Sequence, residues 1–197
     1  MIISHKTKSI FIHIQKTAGA SIEAAVQRED PAAETGTQTG RRHLFAREVQ
    51  AIVGPGTWSA YYRFAFVRNP WDRLVSWYSM CVQNAAPNNF SRYIKDNAPT
   101  FDDFVLSTTT GIAERTTYNQ LDFLTDGDGN LIVEFVGRYE HLADDYAVVQ
   151  QRLGLASALA HANRSAHRSY RDYYTAETKD VVAKRFERDI AHFGYEF

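Results

Sequence analysis

Lys16 stands at the head of a run of small residues, Thr17, Ala18, Gly19, Ala20 and Ser21, directly after the alternating β-branched stretch Ile10, Ile12, Ile14. Ile22, Ala25 and Val26 then fall at helical spacing. Strand, tight loop and helix in that order aim several backbone N–H groups and the positive end of a helix at one point, with an ammonium beside them. That arrangement suits an anion, a phosphate above all. A nucleoside triphosphate loop needs a glycine directly before its lysine and another five residues earlier. Gln15 and Ile10 occupy those positions, so an ordinary nucleoside triphosphatase is disfavoured.

A second cation lies where it can join the first. Tyr61 to Val67 is a continuous apolar and aromatic run, the pattern of a strand covered on both faces in a largely parallel sheet. Asn69-Pro70 breaks it, and Trp71, Leu74, Val75 and Tyr78 take up helical spacing, which leaves Arg68 at the carboxyl end of the strand. Ligands of open α/β sheets bind outside those carboxyl ends, where the Lys16 loop also lies. The two motifs are expected to face one crevice.

The remaining elements follow from periodicity and punctuation. Residues 27–42 read as a long loop with Pro31, Gly36 and Gly40, and a helix carrying Phe45, Val49, Ile52 and Val53 follows, terminated by Gly54-Pro55-Gly56. His43 sits at the junction, where a solvent-exposed or capping histidine is the ordinary reading. Residues 81–99 read as loose, before Thr100 caps a short helix with Phe101, Phe104 and Val105. Residues 118–124 form another short apolar element. The turn TDGDGN leads into a strand LIVEFV; its sixth and twelfth calcium-loop positions are Leu131 and Gly137, not the required Gly and Glu. Leu142, Tyr146, Val149 and Leu153 mark a helix stopped by Gly154, and Thr175 caps a last helix through Val182, Phe186, Ile190 and Phe193. Between them, Arg164, His167, Arg168 and Arg171 interleave with Tyr170, Tyr173 and Tyr174, which on pattern alone reads first as an exposed loop with structural tyrosines, though the composition is able to hold a phosphate and stack on a base.

At 197 residues, with 44% hydrophobic and 23% charged, the chain fits a single globular α/β domain, 1–197. A net charge of −1 argues against a protein that coats nucleic acid, while leaving room for local basic patches. Cys81 alone excludes an intrachain disulfide and a Cys-rich zinc site, no metal-ligand spacing is apparent, and no apolar run approaches a membrane span of about 20 residues. A cytoplasmic location is expected.

Taken together, HIQKTAGAS (13–21) and FAFVRNPWDRLVSWY (64–78) resemble the two cofactor signatures of sulfotransferases that use PAPS, 3′-phosphoadenosine 5′-phosphosulfate. The likeness is to the carbohydrate-type branch of heparan and chondroitin sulfotransferases. RRHLFAREV, VGRYEHL and the C-terminal stretch from Tyr170 look like its small bacterial members, so that it covers nearly the whole chain. The resemblance implies a P-loop-like three-layer fold, a central and mostly parallel sheet flanked by helices. It implies transfer of a sulfuryl group from PAPS to a hydroxyl of a glycan or glycolipid acceptor, releasing PAP, with no metal. It makes Lys16, Thr17, Ala18, Gly19, Ala20 and Ser21 the 5′-phosphosulfate loop, with Lys16 assisting the leaving group, and Arg68 with Ser76 the 3′-phosphate site. It matches His43 to the histidine that relatives place between the signatures, a candidate general base. Glu23, one turn into the first helix, is the alternative base, with a helix-dipole role equally open. Asn163, Arg168 and Tyr170 are the candidates for closing over the nucleotide, and Arg41, Arg42 and Arg47 suit an anionic acceptor or a solvated helix face. Relatives commonly carry Pro before the lysine and two glycines after the threonine, where this chain has Gln15, Ala18 and Gly19. A kinase-type phosphotransferase and a non-catalytic PAP- or glycan-binding module are the alternatives.

Overall fold

The computed structural model describes residues 1–36, 40, 42–85, 87–107, 118–159 and 168–197. Its contacts divide the chain into two compact units, Met1–Arg68 with Gln120–Asn163, and Asn69–Asn119 with Arg164–Phe197.

The first unit holds a five-stranded sheet. Its strands are β1 (Ile2–Ser4), β2 (Ser9–Ile12), β3 (Glu34–Thr35), β4 (Tyr62–Val67) and β5 (Phe135–Arg138), in the order β3-β1-β2-β4-β5. The β2 to β4 and β4 to β5 pairs are parallel, while β1 runs antiparallel to both its neighbours. Four of the five strands therefore point one way and β1 alone opposes them, so the sheet is mixed and mostly parallel. Every residue of β2 is buried, as are Phe64 to Val67 of β4, which is why these strands read as unbroken apolar runs. Helix α1 (Gly19–Glu29) lays Ile22, Ala25 and Val26 on Phe11, Phe64 and Phe66, and α6 (Leu142–Leu153) adds Tyr146 and Val149 to the same core. Gly154 ends α6 in the left-handed conformation, at φ 65°.

Several elements depart from the sequence reading. The two-residue β3 stands where a polar loop was expected, β1 lies in a stretch for which the sequence reading gave no element, and α1 runs on to Glu29. Helix α2 (Ala46–Ala60) does stop at Gly54, whose φ of 77° breaks it, but Pro55 starts a further helical segment instead of a loop. The strand expected over LIVEFV begins only at Phe135; Leu131 makes an isolated bridge to Thr125.

The second unit is helical: α3 (Pro70–Gln83), α4 (Asn89–Asn97), α5 (Phe101–Ser107), α7 (Ala176–Arg185) and α8 (Glu187–Phe193). Asn69 caps α3 by accepting the Trp71 N–H at 3.1 Å, with Pro70 in the first turn. The region expected to be loose contains α4, whose cap Asn88 accepts the Ser91 N–H at 2.8 Å. Thr100 does cap α5, through a reciprocal pair with Asp103. Thr175 caps α7, but the final helix breaks at buried Phe186, where φ −110°, ψ 27° is not helical. No helix among the described residues is long and apolar enough to cross a membrane.

Gly137 of β5 lies opposite Phe66 of β4, and a Cβ there would meet the Phe66 ring at 2.4 Å. Gly137→Ala is therefore expected to lower unfolding free energy by about 1–3 kcal/mol. Urea titration checks this, and an unchanged midpoint would show that the ring has somewhere to go.

Candidate functional site

The Lys16 loop is built as a turn of left-handed residues. Lys16 has φ 69° and Ala18 φ 68°, and Gly19 enters α1 directly after. Alternating hand turns successive N–H groups to one side, and the N–H groups at the start of a helix precede any intrahelical acceptor, here at Gly19 and Ala20. The Thr17 side chain is fully buried, its hydroxyl donating to the Ile14 carbonyl at 2.9 Å. Thr17 thus pins the loop to the end of β2, and only its backbone is placed for an anion. The Ala18 carbonyl accepts from Ser21 N–H at 2.9 Å, closing the first turn.

Beside this loop lies Arg68, at the end of the neighbouring parallel strand. Its Nη1 donates to the Lys16 carbonyl at 3.2 Å and its guanidinium lies 3.9 Å from the centre of the Tyr139 ring. The two motifs meet at one mouth, as strand-end placement requires. Gln120 and Tyr139 were not singled out from the sequence. Gln120, fully buried, bonds both the N–H and the C=O of Arg68. The position of Tyr139 directly after β5 was its one available signal.

A buried polar cluster backs the loop. Glu23 accepts from His13 Nδ1 at 2.7 Å, from the Met1 amino group at 3.2 Å, and from Arg42 Nε and Nη2 at 3.0 and 2.8 Å. Burial pushes its pKa up, but the His13 hydrogen bond and the charges around it outweigh that and hold it well below the carboxylate range. The His13 ring rests on Gly19, where a Cβ would come within 2.1 Å of it. His43 Nδ1–H donates to the His13 carbonyl at 3.0 Å, and the two rings stand edge to face at 4.6 Å. Because a carbonyl only accepts, this bond places the proton on Nδ1 and the lone pair on Nε2 of neutral His43. Burial, then the neighbouring His13, presses the His43 pKa to about 3, overriding the raising effect of that bond. Glu48 accepts the Phe45 N–H at 2.7 Å, which starts α2 and seats the residues after His43.

The other expected site residues are described by their own surroundings. Ser76 is buried on α3 in the second unit. Arg168 stacks on Tyr173 at 5.4 Å, and Tyr170 packs edge to face on Phe197 at 5.6 Å, in the same unit. Asn163 and Arg41 lie outside the described residues. Arg42 is spent on Glu23, and Arg47 covers the Phe45 ring at 4.4 Å. Among the described residues no group of three or more His, Cys, Asp or Glu is placed to hold a metal ion.

A mixed, mostly parallel sheet with a tight loop between β2 and α1 and an arginine at the end of β4 is the framework of a sulfotransferase-like α/β fold. The chain belongs to the Sulfotransferase family, whose profile matches residues 1–196, and it is a sulfotransferase enzyme. That membership decides against the kinase-type and non-catalytic alternatives. The structure of mouse sulfotransferase SULT7A1 complexed with PAP is similar at TM-score 0.60 and 12% identity, over 95% of this chain and 86% of that one, a likeness of fold. An uncharacterized protein of Archaeoglobus fulgidus is 33% identical over 124 residues, 60% of this chain and 90% of that protein.

Two measurements follow. Groups whose folded pKa is depressed stabilise the fold fully above their unfolded pKa and lose that contribution as pH falls. His43 does so from 6.5 toward about 3, Glu23 from 4.5 toward about 2, and the Met1 amino group from 8.0 toward about 6. All three act with one sign, so Tm is expected to fall steadily on acidification below pH 7, with a shallower slope between pH 6.5 and 4.5 in His43→Phe; a flat wild-type profile would contradict this. Ala18→Gly, which relieves a left-handed alanine, is expected to gain up to about 1 kcal/mol in chemical denaturation.

Proposed function

We propose that the chain transfers a sulfuryl group from PAPS to a hydroxyl of a carbohydrate-type acceptor and releases PAP, as one catalytic domain spanning 1–197. The observation that supports this reading is the bond from Arg68 Nη1 to the Lys16 carbonyl, which joins the residues after β2 and β4, two candidate anion-binding groups from different strands. A nucleotide with separated 3′- and 5′-phosphates suits two such groups better than a linear triphosphate does. Family membership and the PAP held by the structurally similar mouse enzyme support the same co-substrate. The finer assignments, the carbohydrate branch, the small bacterial origin, the glycan or glycolipid acceptor, the cytoplasmic location and a reaction without metal, rest on the sequence resemblance and belong to this proposal.

In this mechanism the acceptor oxygen attacks sulfur while the bond from sulfur to the bridging phosphate oxygen breaks. Lys16 and the N–H groups of Ala18, Gly19 and Ala20 neutralise the charge that grows on that oxygen. Ser21 completes the loop. Arg68 and Ser76 take the 3′-phosphate, with Asn163, Arg168 and Tyr170 toward the nucleotide. His43 Nε2 takes the proton of the acceptor hydroxyl. Glu23, offered from sequence as an alternative base, is assigned a different role. Its oxygens already accept from three partners and it stays ionised far below neutral pH, so it positions His13 and Arg42 and leaves the proton to His43.

Calorimetry with PAP, ADP and ATP, with and without Mg²⁺, tests the co-substrate. Metal-independent preference for PAP, lost in Arg68→Ala, is expected; preference for ATP would sink the proposal. With labelled PAPS and a panel of glycans, glycolipids and phenols, Lys16→Ala is expected to lower kcat by about 10²–10³ and His43→Asn by about 10²–10⁴. Glu23→Gln, which keeps an acceptor for His13, is expected to cost less than His43→Asn; the reverse order would return the role of base to Glu23.

A further inference from the structure

We infer that Gln120 is a positioning residue for Arg68 and thereby sets selectivity for nucleotides that carry a 3′-phosphate. This rests on the proposed reading of the site. β4 ends at Val67, so the peptide groups of Arg68 pass out of the strand ladder into a buried region where both need partners. Gln120 supplies them. Its Oε1 accepts the Arg68 N–H at 2.9 Å and its Nε2 donates to the Arg68 carbonyl at 2.8 Å, the same donor and acceptor pair that another strand would offer.

With its backbone held on one side, Arg68 has its guanidinium fixed on two others, by the Lys16 carbonyl at 3.2 Å and the face of Tyr139 at 3.9 Å. A planar fork recognises phosphate well only when its plane is set. Gln120 is itself anchored. Leu121 and Phe123 are buried, Thr125 Oγ1 donates to the Leu121 carbonyl at 3.2 Å, and Phe123 packs on Phe45 at 4.6 Å. Phe45 lies two residues beyond His43, so one short segment ties Arg68 to the chain that carries the proposed base.

The 5′-group is held by the Lys16 loop whether or not Arg68 is in register, whereas a 3′-phosphate gains only when it is. The ratio of affinities for PAP and for AMP, which lacks the 3′-phosphate, therefore reads the placement of Arg68. By calorimetry, wild type is expected to bind PAP at least about tenfold more tightly than AMP. Gln120→Met, which removes both bonds at similar volume, is expected to weaken PAP by about tenfold or more and AMP by less than about threefold, approaching the ratio of Arg68→Ala, since each lost bond strands a buried group. Should the variant fold poorly in thermal melts, wild type alone decides by amide exchange. The Arg68 N–H and Gln120 carboxamide protons are then expected to exchange slowly, and more slowly with PAP but not with AMP. A Gln120→Met protein that keeps its preference for PAP, that loses both nucleotides equally, or a wild type whose exchange PAP leaves unaltered, overturns the inference. A wild type that binds PAP no better than AMP overturns the co-substrate reading as well, and shows it without any variant.

Discussion

The carboxylate of Glu23, buried inside the first unit, is the constraint around which the site is arranged. A carboxylate out of water must be met by donors, and three converge on it, from the residue before β1, the residue after β2 and the segment before α2. Glu23 lies one turn into α1 and His13 just beyond β2, so their bond spans the Lys16 loop and fixes the phase of the helix against the strand. Five residues must then turn back within that span. The left-handed Lys16 and Ala18 are the local cost of the turn, and Gly19 is needed because the His13 ring fills the place of its Cβ. Here the glycine serves close packing, not a positive φ.

From that anchor the geometry propagates outward. The parallel pairing of β2 with β4, Ile12 opposite Ala65, brings the residues after each strand to the same edge of the sheet. Arg68 and the Lys16 carbonyl then meet at that edge, with Gln120 and Tyr139 holding the arginine. His43 is reached by a different route, through the backbone carbonyl of His13, so the same residue that steadies the anion loop by its ring orients the second imidazole by its main chain.

The loop and Arg68 were legible in the sequence because each depends on local pattern, small residues after a strand and a basic residue before Asn-Pro, whereas the junction position of His43 read as an exposed or capping histidine and only the family resemblance singled it out. Gln120 was not legible, since its role depends on pairing with Arg68 across 52 positions of chain. The surroundings of Glu23 were hidden for a related reason. Its spacing placed it on the correct helix, but not its partners, and those turn a prospective base into a buried anion. Among the elements, β1 and β3 are too short for alternation to register. α4 begins at an asparagine cap inside a polar, Asn-rich stretch, where composition outweighs periodicity. The break at Phe186 is hidden because its side chain stays buried while its backbone leaves the helix, so the apolar pattern continues across it.

A histidine pressed to a pKa of about 3 is neutral throughout the physiological range, which supplies the lone pair but makes a weak base toward a hydroxyl. The environment that depresses it is burial, His13, and the positive charges of the Met1 amino group and Arg42. In the proposed reaction, negative phosphate groups enter beside the Lys16 loop, three residues along the chain from the carbonyl that holds His43. Nearby negative charge favours the protonated imidazole and raises its pKa toward the range where proton transfer is efficient. On this view the site strengthens its base as the donor binds, while Glu23, already committed to His13 and Arg42, keeps the ring in place and contributes no proton of its own.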